Sequence, residues 1–332
     1  MEKVFMPKGQ NSAEIITLKD GEEISVKKEG VYVLRGNAEN ACVTVDVKNA
    51  QAELVLDSLT VVNTGMPVLY VKKADRVRIT MAPGSENSLS LTGKSRGGKA
   101  HKADALICSR ADLIFGGSGR MKLSSCSQAV TSEKNVQIDS GIYVLETDGT
   151  AVLAEQSIRI AEGTVTIRSG NDGLHAGAGE EPAEGKIVIG GGTLDIRSED
   201  DCLHAVSAVR IDGGTLHLEG HECIEATRIQ INGGNMHLCG EDDAINTTRT
   251  AKDHYEPCTE INGGTIQIVV PDNGKADGID CNGRLIITGG TLQITGSSVL
   301  DVTEGIRFDG GKVIINGEAV KSLEKYNTAG RK

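Results

Sequence analysis

The chain has 332 residues, more than the roughly 250–300 at which a single hydrophobic core usually splits, and repeat architectures escape that limit because each unit touches only its neighbours. It contains 42 Gly, 6 Pro, no Trp and only 2% aromatic residues, so Ile, Leu and Val in many small layers must supply the burial that aromatics usually give. Its net charge of −11 argues against nucleic acid and anionic membranes as partners, since both need basic surface, and favours metal cations or a polyanion bridged through them.

No apolar stretch in the first thirty residues resembles the core of a secretory leader, and no run approaches the length of a membrane span. As written, the chain is expected to be cytoplasmic; removal of a leader would instead make it secreted or cell-surface. Residues 1–90 hold alternating strands such as Cys42-Val43-Thr44-Val45, Leu54-Val55-Leu56 and Val77-Arg78-Ile79. They are predicted to form an N-terminal cap and irregular first coils, because they lack the glycine pairs found later. A basic insertion over residues 94–102 then precedes Asp104.

Residues 91–318 are predicted to form a regular solenoid. Asp104-Ala105-Leu106 is followed 24 residues later by Gln128-Ala129-Val130, then at intervals of 22 by Thr150-Ala151-Val152 and Asp172-Gly173-Leu174. From there Gly-Gly pairs punctuate the chain, with second glycines at 192, 214, 234, 264, 290 and 311. An alternating strand precedes each pair and another follows it, as in Val209-Arg210-Ile211 and Thr215-Leu216-His217-Leu218. A third short apolar piece, such as Cys202-Leu203 or Ala244-Ile245, completes the period. Period-2 alternation means a strand with one buried face, and the glycine pair suits a tight corner. Three strands in about 21–24 residues predict one coil of a single-stranded, right-handed parallel β-helix. Residues 319–332 form a polar tail that caps the helix or frays. The eight cysteines show no zinc-like spacing and are read as unpaired, mostly buried thiols.

Aligning the coils brings one motif into register: Asn171-Asp172-Gly173-Leu174-His175, Asp200-Asp201-Cys202-Leu203-His204, His221-Glu222-Cys223-Ile224-Glu225, Asp242-Asp243-Ala244-Ile245-Asn246, Ala276-Asp277-Gly278-Ile279-Asp280, and finally Leu300-Asp301. With the Leu or Ile pointing inward, the residues two before it and one after it are expected to point outward. Stacked carboxylates about 5 Å apart repel by about 3 kcal/mol each at an effective dielectric of 20. Asp or Asn at a single corner would be an ordinary turn former bonding its own backbone; five coils in register point further. Relief by an oxygen-ligated cation makes Asp172, Asp200, Asp201, Glu222, Glu225, Asp242, Asp243, Asn246, Asp277, Asp280 and Asp301 candidate Ca²⁺ ligands. His175 and His204 are candidate ligand contacts. Arg249, Lys252 and Lys275 join them, because the insertions after Ala176 and Thr247 and before Ala276 leave the helix beside this column.

This combination of motifs, together with Leu54-Val55-Leu56-Asp57-Ser58-Leu59 and Pro83-Gly84-Ser85-Glu86-Asn87-Ser88-Leu89 upstream, resembles the calcium-binding β-helix carbohydrate-binding domains of clostridial bacteria over roughly residues 30–318. The resemblance implies a pectate-lyase-like β-helix that binds Ca²⁺ and acidic plant polysaccharide such as polygalacturonate, without established catalysis. Two other readings use the same scaffold. A polysaccharide lyase or hydrolase would need a basic residue or a defined acid pair, yet a repeated acid ladder offers no unique pair. A structural or adhesive solenoid would use Ca²⁺ only for stability.

Overall fold

Strand after strand buries every second side chain. Leu216 and Leu218 on Thr215–Gly220, and Met236 and Leu238 on Asn235–Gly240, point inward, while the residues between them remain partly exposed. This is the period-2 pattern expected of a β-face packed on one side only. The computed structural model describes residues 13–93, 105–177, 185–249 and 255–329. The basic insertion at 94–102, Asp104 and Lys252 lie outside the described residues. Among the described residues, no helix is long and apolar enough to cross a membrane.

The chain divides into two units, Met1–Ala154 and Glu155–Lys332. Each is a parallel β-helix built from three stacks of strands. In the first unit, one stack runs through Glu14–Thr17, the start of Gly30–Glu39, the start of Gln51–Asn63, Arg76–Met81, Asp112–Gly117 and Asn135–Ile138. A second continues from the ends of Gly30–Glu39 and Gln51–Asn63 to Glu86–Leu91, Arg120–Ser125 and Ile142–Thr147. The third joins Glu23–Val26, Cys42–Asp46, Leu69–Lys73, Ala105–Ser109, Gln128–Ser132 and Val152–Ala154. The three stacks are therefore already present in residues 14–91, which lack glycine pairs. Asn40, Asn49 and Ser58 take the left-handed backbone there (φ 52°, 52° and 58°), a conformation that short polar side chains tolerate by bonding locally.

In the second unit, the strands before the glycine pairs form one parallel stack, from Ser157–Ile160 to Gly305–Phe308. The strands after them form a second, from Thr164–Ser169 to Lys312–Ile315. The second glycine of each pair has φ between 78° and 97°. At Gly290 an added Cβ would also lie 2.8 Å from the carbonyl of Gly263, one coil below.

The third stack carries the site. Leu174, Leu203, Ile224, Ile245, Ile279 and Leu300 are paired in direct register on it and are fully buried. Burying each such side chain contributes about 1.5–3 kcal/mol. All eight cysteines are free, and six of them are buried. The last coil is closed by the tail: Glu318–Val320 pairs antiparallel with Lys312–Ile315, and the Asn327 amide bonds both backbone groups of Val302.

Candidate functional site

Two rows of side chains flank the Leu/Ile ladder. The row after it reads His175, His204, Glu225, Asn246, Asp280 and Asp301 in unbroken register. All six are partly exposed. The row before it holds Asp172, Asp201, Glu222, Asp243, Asp277 and then Ser298.

Alternation predicts this second row as outward-facing, but most of it is buried: Asp172, Asp201, Asp243 and Asp277 are only 3, 4, 8 and 1% exposed. The first three precede the start of their strands, at the corner where the chain turns, so the period-2 rule does not reach them. Their carboxylates bond across coils. The Asp201 N–H donates to Asp172 Oδ1 (3.4 Å), the Asp277 N–H donates to Asp243 Oδ1 (2.8 Å), and the Ser298 hydroxyl donates to Asp277 Oδ1. Ser298 is a contact that the sequence motif does not single out, although its register with Asp277 marks its place.

At the N-terminal end of the rows, two imidazoles meet the carboxylates. His175 Nδ1 lies 2.6 Å from Asp172 Oδ2. His204 Nδ1 lies 2.8 Å from Asp201 Oδ2 and 3.0 Å from Glu225 Oε2. The two rings stack with centroids 4.4 Å apart. Burial works against charging His204, but the bond to Asp201 and the charges of Glu225 and Asp172 outweigh it, raising its pKa to about 9. The ligand atoms of Asp172, His175 and His204 lie within 4.8 Å of one another, as do those of Asp201, His204 and Glu225. Asp200, Asp201 and His221 form a third such group, with Asp200 and His221 exposed.

One coil further on, the pattern changes. Asn246 Nδ2 donates to Glu222 Oε1 (2.8 Å). That leaves Glu222 Oε2 and Asn246 Oδ1, both buried acceptors, with no hydrogen-bond partner. A buried acceptor without a donor costs about 1–3 kcal/mol. Burial pushes the Glu222 carboxyl up to about 8, reinforced by Asp201, Glu225 and Asp243. Burial likewise raises Asp243 to about 7, the Asp277 N–H opposing and Asp280, Asp242 and Asp277 adding to the rise. Burial and a hydrogen bond shared with Asp201 raise Glu225 as well. Around Glu222 and Asp243 this cluster gathers acids with no adjoining basic side chain among these contacts, which raises their affinity for protons. Its donor set is all oxygen, and its orphaned oxygens suit a hard cation taking oxygen ligands.

The remaining candidates lie apart from these contacts. Asp242 is partly exposed beside Asp243. Arg249 is exposed and ion-paired with Glu256, and Lys275 is exposed in the loop before Ala276.

A family model described as "Carbohydrate-binding domain-containing protein" matches residues 20–274, more than half of the chain. The chain belongs to this carbohydrate-binding domain family. A protein of the same description from Acetivibrio thermocellus is 28% identical over 123 residues, covering 36% of this chain and 43% of that relative. The chain thus spans less than half the length of that relative. A solved structure described as the polysaccharide lyase-like protein from C. thermocellum, in a gadolinium derivative, superposes with a TM-score of 0.63 at 24% identity, covering 65% of this chain and 96% of the other. That likeness extends to the fold.

Proposed function

We propose that this carbohydrate-binding protein binds an acidic plant polysaccharide of the polygalacturonate type without cleaving it, through Ca²⁺ held at Glu222, Asp243 and Asn246 in the middle of the two rows. The observation that carries this reading is the pair of buried, unpartnered oxygens, Glu222 Oε2 and Asn246 Oδ1, set among carboxyls whose affinity for protons is raised. A cation with six to eight oxygen ligands would use such atoms and relieve their mutual repulsion. It would also let a chain of net charge −11 hold a uronate carboxylate, since each Ca²⁺ can take ligands from both sides. With no Trp and few Tyr and Phe, recognition of neutral sugars by ring stacking has little support.

The test is calorimetric titration of the protein with Ca²⁺, alongside an ultraviolet assay for unsaturated product from polygalacturonate. The Asp201→Asn, Asp243→Asn double variant is expected to lose Ca²⁺ binding while keeping its circular dichroism. Unchanged Ca²⁺ affinity in that variant contradicts the site, and product formation by the wild type replaces the binding reading with a lyase.

A further inference from the structure

We propose that the second unit carries a separate site for a borderline divalent metal such as Zn²⁺, formed on the outward face of its second stack by His217, Glu219, His237 and Cys239. This site is independent of the acidic rows, which lie on the third stack. His217 and Glu219 alternate along Thr215–Gly220, while His237 and Cys239 alternate along Asn235–Gly240. The register pairs His217 with His237 and Glu219 with Cys239. Because Leu216, Leu218, Met236 and Leu238 fill the interior, all four ligand-type side chains share the outer face. They occupy the corners of a rectangle about 4.8 Å across the strands and about 6.6 Å along them.

Two distances favour a chelate. His237 Nδ1 and Cys239 Sγ are 3.3 Å apart. Nitrogen at about 2.05 Å and sulfur at about 2.3 Å around a tetrahedral Zn²⁺ would be about 3.6 Å apart, so the pair is already close to the required bite. The His217 and His237 ring centroids are 5.2 Å apart with planes tilted by 30°, and His217, whose Nδ1 now lies 3.7 Å from Asp195 Oδ1, would exchange that partner for the metal. Glu219, now paired with Arg197 at 3.1 Å, is the fourth ligand or gives way to water. All four side chains are partly exposed, so a metal can reach them. The column continues as Gln267 and Gln293 in the next two coils and as Asp195 in the preceding one, whose carboxylate lies 3.7 Å from His217 Nδ1. Two imidazoles and a thiolate select Zn²⁺, Co²⁺ or Ni²⁺ over Ca²⁺, the reverse of the all-oxygen cluster.

The experiment is a Co²⁺ titration of the whole chain in saturating Ca²⁺ with a non-coordinating reductant, read by near-ultraviolet and visible absorption. A thiolate-to-Co²⁺ charge-transfer band with tetrahedral d–d bands is expected at one equivalent, with Zn²⁺ displacing the Co²⁺. Cys239→Ser should abolish the charge-transfer band, and His217→Ala or His237→Ala should weaken Co²⁺ binding at least about tenfold. In all three variants, circular dichroism and Ca²⁺ titration should match the wild type. Absence of a thiolate band in the wild type, its survival in Cys239→Ser, or Co²⁺ affinity unchanged in both His variants would each overturn the assignment. Because Ca²⁺ binding is read separately, failure of this site and failure of the Ca²⁺ site give different results.

Discussion

Glu222 and Asn246 face each other across one coil spacing, and their hydrogen bond leaves one buried oxygen on each. A bound cation would stabilise that arrangement; without one, Glu222 is a half-buried acid among other acids. Glu222→Gln therefore has two effects of opposite sign. It should weaken Ca²⁺ binding at least about tenfold in calorimetry, through loss of a charged ligand. In chelator near pH 7 the same variant should melt higher than the wild type, because Gln has no carboxyl that must take up a proton, or be buried as a charge, when the chain folds. A lower melting temperature in chelator would show that Glu222 is compensated by something other than a cation. His204 behaves differently, since its imidazolium lies between Asp201 and Glu225. His204→Ala should cost about 1–3 kcal/mol of stability in chelator, by analogy with loss of a hydrogen bond to a charged group, as read by chemical denaturation. The acidic motif is legible residue by residue because Leu or Ile marks each coil. The burial of Asp172, Asp201 and Asp243 is not, because alternation holds only along a strand and these residues sit before theirs begin. Nor does the motif reveal that His204 would serve as an internal counter-charge, since that depends on Glu225 of the next coil.

At the scale of the strand and corner, the glycine pairs explain most of what the sequence discloses about the fold. Their spacing follows the coil length, and the second glycine of each pair has the left-handed backbone that an L side chain resists. Gly290→Ala adds a Cβ 2.8 Å from the carbonyl of Gly263 on top of that backbone cost. The variant should lose about 1–3 kcal/mol by chemical denaturation; a loss below about 0.5 kcal/mol would mean that the corner relaxes freely. The N-terminal strands are less legible as regular coils, because Asn40, Asn49 and Ser58 take the left-handed conformation there without a repeating glycine signature. Strand alternation was present throughout, but alternation alone does not say which strands stack.

For the whole molecule, the raised acids and the raised histidine act in the same direction on stability. Glu222 and Asp243 keep their protons up to about pH 8 and 7 when folded, against ordinary values of 4.5 and 3.8. The cost of ionising them appears above their unfolded pKa values and is complete above the folded ones. His204 holds its proton to about 9 against 6.5, so its contribution is fully present below 6.5 and is lost as pH rises through 9. The folded chain binds more protons than the unfolded one across this window, and in chelator the melting temperature should fall as pH rises from about 5 to about 9. Saturating Ca²⁺, replacing those protons, should flatten the decline and stabilise most at the alkaline end. A melting temperature that rises with pH in chelator would contradict the assigned protonation. The measurement that bears most directly on the function is calorimetric titration of polygalacturonate into the protein, with Ca²⁺ and again in chelator. Binding with Ca²⁺ and its loss in chelator is the result predicted; no binding in either condition, or equal binding in both, would contradict a Ca²⁺-bridged acidic polysaccharide site.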